Sequence, residues 1–183
     1  DVALLARPGL TVAHTPKTYL KLAMGLPPVR SLLDGGVSLA LGSDGPASSS
    51  DLNLLEVLRL TALLQKHAQR DAEAMPVRQI LELACAAKAL GFADSGRIVD
   101  GAAADLVLID TRAPHWAPGH DLAAGVVYTA HPADVRHVIV DGRLLLRGGE
   151  LTTLDEERIV FEARSRARRM VSRPMDEMRR YEC

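Results

Sequence analysis

Cysteine and aromatic residues are scarce in this chain of 183 residues, and neither sign of charge is in clear excess. Cys85 and Cys183 lie far apart, which predicts neither a disulfide framework nor a zinc-cysteine cluster. A formal net charge of -1 gives no electrostatic reason to expect a nucleic acid or an anionic membrane as partner. No apolar run approaches the roughly 18 residues that span a bilayer, and no signal peptide is evident. We therefore expect a protein of the reducing cytoplasm that binds neither nucleic acid nor membrane.

Hydrophobic residues make up 48% and charged residues 25% of the chain, which is typical of a globular protein that buries a core. The chain does not begin with Met, and residues 1–8 have the pattern of a helix that is already under way. We therefore expect an upstream segment to be missing from this chain.

The most informative stretch is VSLALGSDGPASSSDLN at residues 37–53. Residues 37–41 are short, apolar and continuous, as in a buried parallel strand. Asp44 follows the strand between small residues, and the serines after it are available to cap the next helix. In parallel α/β architectures, ligands and chemistry are found at the carboxyl ends of the strands. The pattern therefore predicts a lone carboxylate at the carboxyl end of a buried strand, where ligands bind in such folds.

Around this stretch, the first half of the chain has the pattern of an α/β protein. A strand ends at His14, and a connection with Lys17 and Lys21 leads into a short helix before the central strand. The predicted order is strand, helix, strand, helix and helix, at residues 10–13, 28–34, 37–41, 52–67 and 77–90. Such an order predicts parallel neighbouring strands joined by a crossover.

The second half has mainly β patterns, beginning near Gly96. Asp-Gly dipeptides between apolar runs predict hairpins in residues 97–110 and 138–146. A further strand is predicted at 126–129, and a polar helix at 154–171. The first half is expected to be the tail of something larger, because a closed α/β barrel takes about 250 residues.

Asp44 is the strongest candidate for chemistry. A carboxylate at the mouth of a parallel strand can complete a metal site and take a proton from a metal-activated water. A turn-forming or capping Asp fits the local pattern equally well. His14 would face the same mouth in a barrel, although a lone His is more often structural.

Other polar residues have a plainer interpretation. Lys17 and Lys21 could hold an anionic group, but loop lysines are usually solvated. The Pro-rich connection around His115 and Trp116 is more typical of a packed loop than of a metal site. Cys85 is expected to be a small core residue.

The stretch VAHTPKTYLKLAMGLPPVRSLLDGGVSLALGSDGPASSSDLNLLEVLRLTALLQK resembles the last part of the barrel in the amidohydrolase superfamily. The nearest branch is that of aminohydrolases acting on nitrogen heterocycles, which includes 5-methylthioadenosine/S-adenosylhomocysteine deaminases, guanine deaminases and triazine hydrolases. RIVDGAAADLVLID and VRHVIVDGRLLLRGGEL are similar to the family's C-terminal β-sandwich segment.

This resemblance implies an α/β fold that contains the last two β/α units of a (β/α)8 metal-dependent hydrolase barrel. Part of a composite β-sandwich and a C-terminal helix would follow. The implied boundaries are 1–95 for the barrel part, 96–151 for the sandwich segment and 152–183 for the helical segment.

The resemblance also implies roles for single residues. Asp44 matches the aspartate that ligates the catalytic metal and relays the water proton, and His14 matches a histidine that lines the site. Thr15 replaces an Asn of the family motif, and Tyr19 belongs to a pair, Thr18-Tyr19, that replaces Ser-Asn. These departures leave the substrate open. The implied substrate-binding residues are His14, Thr15, Tyr19 and Ser43.

The family's other metal ligands come from strands that this chain lacks, and one carboxylate cannot hold a catalytic zinc. The implied function is therefore that of an incomplete part, inactive alone, of a metal-dependent deaminase of aminopurine-like or adenosine-like rings. Zinc is the expected metal, with iron as an alternative. The implied partners are a small-molecule substrate, the missing N-terminal barrel segment and a possible second copy in a homodimer.

Two other functions stay open. One is dechlorination or deamination of a triazine-like ring, which this part of the sequence does not separate from purine deamination. The other is a non-catalytic truncated remnant or fragment that is stabilised by a partner. A bare β-rich interaction module is disfavoured by the buried type of the strands before residue 45.

Overall fold

The computed structural model of the chain describes residues 1–85, 87–92 and 94–170. The predicted last residue of the C-terminal helix, Val171, and Cys183 lie outside these residues. The elements up to residue 85 are α1 (Val2–Leu5), β1 (Val12–His14), α2 (Pro16–Lys21), α3 (Val29–Asp34), β2 (Leu39–Leu41), α4 (Pro46–Ser49), α5 (Leu54–Gln69) and α6 (Val77–Ala84). Those that follow are β3 (Leu106–Ile109), α7 (Leu122–Tyr128), β4 (Val135–Val140), β5 (Arg143–Arg147), β6 (Glu150–Leu151) and α8 (Glu156–Met170).

The predicted parallel unit is confirmed, because β1 and β2 pair in parallel with Ala13 opposite Ala40. The two strands are joined through α2 and α3, and α2 lies in the stretch that was expected to be only a connection. Side chains alternate between the two faces of a strand. One face carries the small residues Ala13 and Ala40, whereas Leu39 on the other face is buried in the core.

The core lies between β2 and the helices α5, α6 and α7. Its members are Val29, Leu32, Val37, Leu39, Leu58, Ala62, Met75, Ile80, Leu83 and Val127. Burying one such large side chain fully stabilises the fold by about 1.5–3 kcal/mol. Because Val127 comes from α7, the core joins the two halves of the chain. A hydrogen bond from Arg59 Nη2 on α5 to the carbonyl of Ala130, 2.8 Å long, reinforces this junction.

The strand predicted at residues 126–129 is wrong, because these residues belong to helix α7 and its C-cap. Asp121 caps the helix by accepting a hydrogen bond from the amide of Ala124 at 3.0 Å. The β-branched pair Val126-Val127 favours a strand locally, but packing of Val127 against α5 and α6 decides for a helix. Tertiary contacts therefore override the local propensity here.

The second sheet has the order β3-β4-β5-β6, and all of its neighbours are antiparallel. The predicted hairpin at 138–146 is confirmed by β4 and β5, which turn at Asp141 and Gly142. The hairpin predicted within 97–110 is wrong. Its Asp-Gly turn does place Gly101 at φ +82°, but β3 pairs with β4 instead of with the residues before the turn.

Two further expectations are corrected. Asn53 caps α5, since its side chain accepts the amide of Glu56, and the serines before it do not cap that helix. Cys85 is exposed and not a core residue, because α6 ends at Ala84 and leaves Cys85 beyond its buried face. No helix among the described residues is both long and apolar enough to cross a membrane.

The Pro-rich connection is a packed loop, as predicted. Trp116 is only 4% exposed, and the carboxylate of the buried Asp134 anchors it. Oδ2 of Asp134 accepts from Nε1 of Trp116 at 3.1 Å, and it lies 2.9 Å from Nε2 of His115. The amide of His131 donates to the same oxygen at 2.8 Å. Asp134 therefore ties the connection to the start of β4.

Candidate active site

The turns that follow β1 and β2 lie side by side because the two strands are parallel neighbours. The amide of Gly42 donates to the carbonyl of His14 at 3.0 Å and so continues the ladder beyond β2. A Cβ on Gly42 would lie 3.4 Å from the Thr15 methyl group, so the two turns are in close contact. The site is therefore assembled from residues of both turns.

Asp44 is exposed in the turn after β2, and its backbone has the left-handed value of φ, +60°. Aspartate is one of the few residues that adopt this region readily. Its Oδ1 accepts from the amide of Gly45 at 2.6 Å, and its Oδ2 accepts from Oγ1 of Thr18 at 2.9 Å. The Gly45 amide, then the hydroxyls of Thr18 and Ser48, lower the pKa of Asp44. The carboxylate is therefore ionised at neutral pH.

Thr18 reaches Asp44 from α2. That helix begins with the buried Pro16, whose missing N–H and fixed φ suit the first helical position. Thr18 is 6% exposed, so its hydroxyl has few partners other than the carboxylate of Asp44. This contact between α2 and the turn after β2 was not foreseen from the sequence.

The lysines of α2 bind the chain's own acceptors. Nζ of Lys17 lies 2.7 Å from Oδ2 of Asp51 and 2.5 Å from Oε2 of Glu56. These carboxylates, Asp51 first, raise the pKa of Lys17. Nζ of Lys21 donates to Oγ of Ser50 at 2.8 Å. The two cations therefore hold α2 against the residues that precede and begin α5, instead of standing ready for an anion.

His14 is 2% exposed at the end of β1, and neither of its ring nitrogens has a hydrogen-bond partner among the described residues. Burial lowers the pKa of His14 to about 4, so the imidazole is neutral at pH 7. The rings of His14 and Tyr19 are 5.6 Å apart, and Oη of Tyr19 accepts from the amide of Thr15 at 3.3 Å. In the turn after β2, Oγ of Ser43 donates to the carbonyl of Asp44 at 3.2 Å.

The five residues that the sequence singled out thus fall into two groups on adjacent turns. His14, Thr15 and Tyr19 contact one another after β1, and Ser43 and Asp44 are consecutive after β2. Their roles in substrate binding stay predictions.

Asp44 has the properties of one metal ligand. An ionised carboxylate has about four lone pairs, and the Gly45 amide and the Thr18 hydroxyl occupy one on each oxygen. The Ser48 hydroxyl donates to the carbonyl of Gly45 at 3.1 Å, so a lone pair on each oxygen of Asp44 is left for a metal ion or a proton. A catalytic zinc takes three protein ligands, however, and the described part of the chain has no group of three or more His, Cys, Asp or Glu that could hold a metal. Asp44 fits such a site as a contributor.

A groove of about 600 Å³ lies beside the small-residue face of the parallel strands. Ala13 and Ala40 line it from the strands, Thr11 and Gly42 line it from the adjoining residues, and Cys85 is also part of its lining. Asp44 is not part of its lining. The carboxylate and this groove are therefore separate features of the described structure.

Comparison with known proteins gives a consistent result. Residues 1–145 match the Amidohydrolase family. A 5-methylthioadenosine/S-adenosylhomocysteine deaminase from Dictyoglomus thermophilum is 44% identical over 175 residues, which cover 94% of this chain and 41% of that protein. The protein of the same name from Haloarcula marismortui is 43% identical over 178 residues, 96% of this chain and 41% of its own length.

Solved structures are similar as well. An adenosine deaminase from Xanthomonas campestris with bound zinc superposes with a TM-score of 0.89 at 35% identity, covering 94% of this chain and 40% of that chain. An atrazine chlorohydrolase from Arthrobacter aurescens TC1, complexed with zinc, superposes with a TM-score of 0.82 at 30% identity, covering 90% and 37%. This chain thus spans less than half the length of each of these relatives.

Proposed function

The chain belongs to the amidohydrolase family, and we propose that it is the C-terminal part of a metal-dependent aminohydrolase. The full protein would hydrolyse the C–N bond between a nitrogen heterocycle and its amino group and release ammonia. An aminopurine or adenosine-like ring is the proposed substrate, in line with the names of the similar deaminases. The observation that carries the proposal is the ionised, doubly hydrogen-bonded carboxylate of Asp44 at the exit of a parallel strand.

We assign two tasks to Asp44. One carboxylate oxygen would hold the metal, and the other would accept the proton of the attacking water. The metal, when bound, makes that water acidic enough to react at neutral pH. Zinc is the proposed metal because the similar adenosine deaminase and atrazine chlorohydrolase bind it, and iron stays an alternative. His14, Thr15, Tyr19 and Ser43 would line the substrate site.

The architecture of the whole protein is part of this proposal. Residues 1–95 would complete a (β/α)8 barrel as its last two units, residues 96–151 would belong to a β-sandwich, and residues 152–183 would form a helical segment. The remaining metal ligands would come from an N-terminal barrel segment, and two copies could form a homodimer. This chain alone is expected neither to bind zinc stoichiometrically nor to release ammonia.

The test is an Asp44→Ala substitution in the full-length protein, with ammonia release from adenosine and 5-methylthioadenosine as the assay. Loss of a positioned proton acceptor lowers the rate by about 100-fold or more, and loss of a metal ligand lowers zinc content as well. Asp34→Ala is the matched control, since Asp34 is exposed on α3 and pairs with Arg30 of the same helix. Undiminished turnover by Asp44→Ala would refute the assignment.

The similarity to the atrazine chlorohydrolase favours a second candidate, hydrolysis of a triazine-like ring with loss of chloride or an amine. Chloride and ammonia release from chlorinated and amino-substituted triazines, measured beside the purine assay, separates the two reactions. A third proposal, a non-catalytic remnant held by a partner, is tested by the coding sequence. A His-x-His motif encoded upstream would contradict it.

A further inference from the structure

We propose that Thr18 is the positioning residue for Asp44, because its hydroxyl fixes how the carboxylate is presented to the reacting groups. This inference rests on the proposed function, since it concerns the residue that is assigned to metal and proton chemistry there. The contact joins helix α2, which follows β1, to the turn after β2, so it links the two parts of the site.

The geometry gives the hydroxyl of Thr18 a single use. A threonine hydroxyl has one proton to donate, and here it donates to Oδ2 of Asp44 at 2.9 Å. Thr18 is 6% exposed, whereas Asp44 lies in an exposed turn. A buried donor therefore holds an exposed carboxylate, and water has little access to take the place of Thr18.

The contact leaves both oxygens of Asp44 able to react. The Gly45 amide occupies a lone pair on Oδ1, and Thr18 occupies one on Oδ2. Without the hydroxyl, the carboxylate could turn about its Cβ–Cγ bond, and Oδ2 would lose its fixed direction. A metal ligand that also accepts a proton needs both directions fixed at once.

Helix α2 is itself held in place on both sides of Thr18. Lys17 pairs with Asp51 and Glu56 before it, and Lys21 donates to Ser50 after it. Because none of these contacts uses the carboxylate of Asp44, they hold the helix without competing for the site. Thr18 therefore acts from a helix that is tied to the chain on both sides of it.

The experiment uses the full-length protein with the substitutions Thr18→Val and Thr18→Ser. Valine keeps the shape and removes the hydroxyl, and serine keeps the hydroxyl and removes the methyl group. Loss of a partner that orients a metal ligand costs about 10- to 100-fold in metal affinity or activity. We expect Thr18→Val to weaken zinc affinity, measured by chelator competition, or to lower kcat by that factor. KM should stay unchanged, because the inference gives Thr18 a role through Asp44 and none in substrate binding.

Thr61→Val is the matched control. Thr61 is fully buried, but its hydroxyl donates within α5 to the carbonyl of Val57 at 2.8 Å. The control should leave zinc affinity and kcat unchanged, and Thr18→Ser should stay within about threefold of the original protein. If Thr18→Val does not fold, Thr18→Ala takes its place in the same measurements.

Two results would overturn the inference. In the first, the variants without the hydroxyl keep zinc affinity and kcat within threefold. In the second, Thr18→Ser is as impaired as Thr18→Val, which would assign the effect to the methyl group. Asp44→Ala, measured in parallel, distinguishes a failure of the proposed function from a failure of the role of Thr18. Full activity of Asp44→Ala refutes both the proposed function and the role of Thr18, whereas its loss with an unaffected Thr18→Val refutes only the role of Thr18.

Discussion

Replacing Asp134 by alanine should open the Pro-rich connection, because one buried oxygen serves several donors. Nε1 of Trp116, Nε2 of His115 and the amide of His131 all converge on Oδ2. Burial raises the pKa of Asp134, but the His115 ring, the His131 amide and the Trp116 indole together outweigh it and leave the pKa lowered. The ionised carboxylate is therefore the form that the fold uses.

The expected magnitude follows from which donors water can reach. Trp116 is 4% exposed, so its indole N–H would stay unsatisfied at a cost of about 1–3 kcal/mol. His115 and His131 are exposed and can bind water, so their lost charge-assisted bonds add only about 1 kcal/mol. The total is about 3 kcal/mol, which is a factor of about 150 in the opening equilibrium. Asp134→Asn keeps an acceptor without the charge and should fall in between.

Native-state hydrogen exchange of the full-length protein measures this locally. Peptides that cover residues 113–134 should exchange about 150-fold faster in Asp134→Ala, while Asp34→Asn, on the exposed face of α3, leaves them unchanged. Acid should have the same effect as the substitution. Because the folded pKa is lowered, the stabilisation is present above the unfolded pKa near 4 and is lost as the pH falls through the folded value. Exchange of Asp134→Ala within threefold of the original protein would refute the reasoning.

Two further predictions concern His14 and Gly125. The pKa of His14 is about 4 in the folded protein and 6.5 in the unfolded chain. Between these values the unfolded state therefore binds more protons. The free energy of unfolding should fall by about 3 kcal/mol as the pH drops from 6.5 to 4. His14→Phe should remove this slope in urea unfolding and the exposed His67→Gln should keep it; equal slopes in both would contradict the account. A Cβ on Gly125 would lie 2.4 Å from the Trp116 ring, so Gly125→Ala should lower the free energy of unfolding by about 1–3 kcal/mol. A Cβ on Gly25 meets nothing within 4 Å in the part of the chain that the structure describes, so Gly25→Ala should be nearly neutral in thermal unfolding. Equal midpoints for the two variants would refute the packing argument.

Local patterns predicted the elements whose structure depends on local chemistry. The β4–β5 hairpin forms around Asp141-Gly142, whose two residues take φ +49° and +73°. The β1–β2 pair follows from apolar runs that a helix separates. In contrast, α7 is a helix because Val127 packs against α5 and α6, and this contact is not visible in the residues around it.

The candidate site likewise has features that the local sequence predicts and features that it does not. A carboxylate at the exit of a strand could be predicted, since a Ser-Asp-Gly turn after an apolar run is a local pattern. The bond from Thr18 to Asp44 could not, because it joins residues 26 apart that meet only when the two strands pair. The internal pairing of Lys17 also required the structure, because Asp51 and Glu56 are distant from it in the sequence.

The left-handed backbone of Asp44 limits how this position can change over evolutionary time. With φ at +60°, the turn accepts glycine and asparagine readily but strains β-branched residues such as valine or isoleucine. The proposed chemistry requires a carboxylate at this position, whereas the backbone requires only a residue that tolerates a positive φ. A descendant that lost the proposed chemistry of Asp44 but kept this turn would be expected to carry asparagine or glycine here. The residue at position 44 would then show whether the carboxylate or only the conformation of the turn was retained.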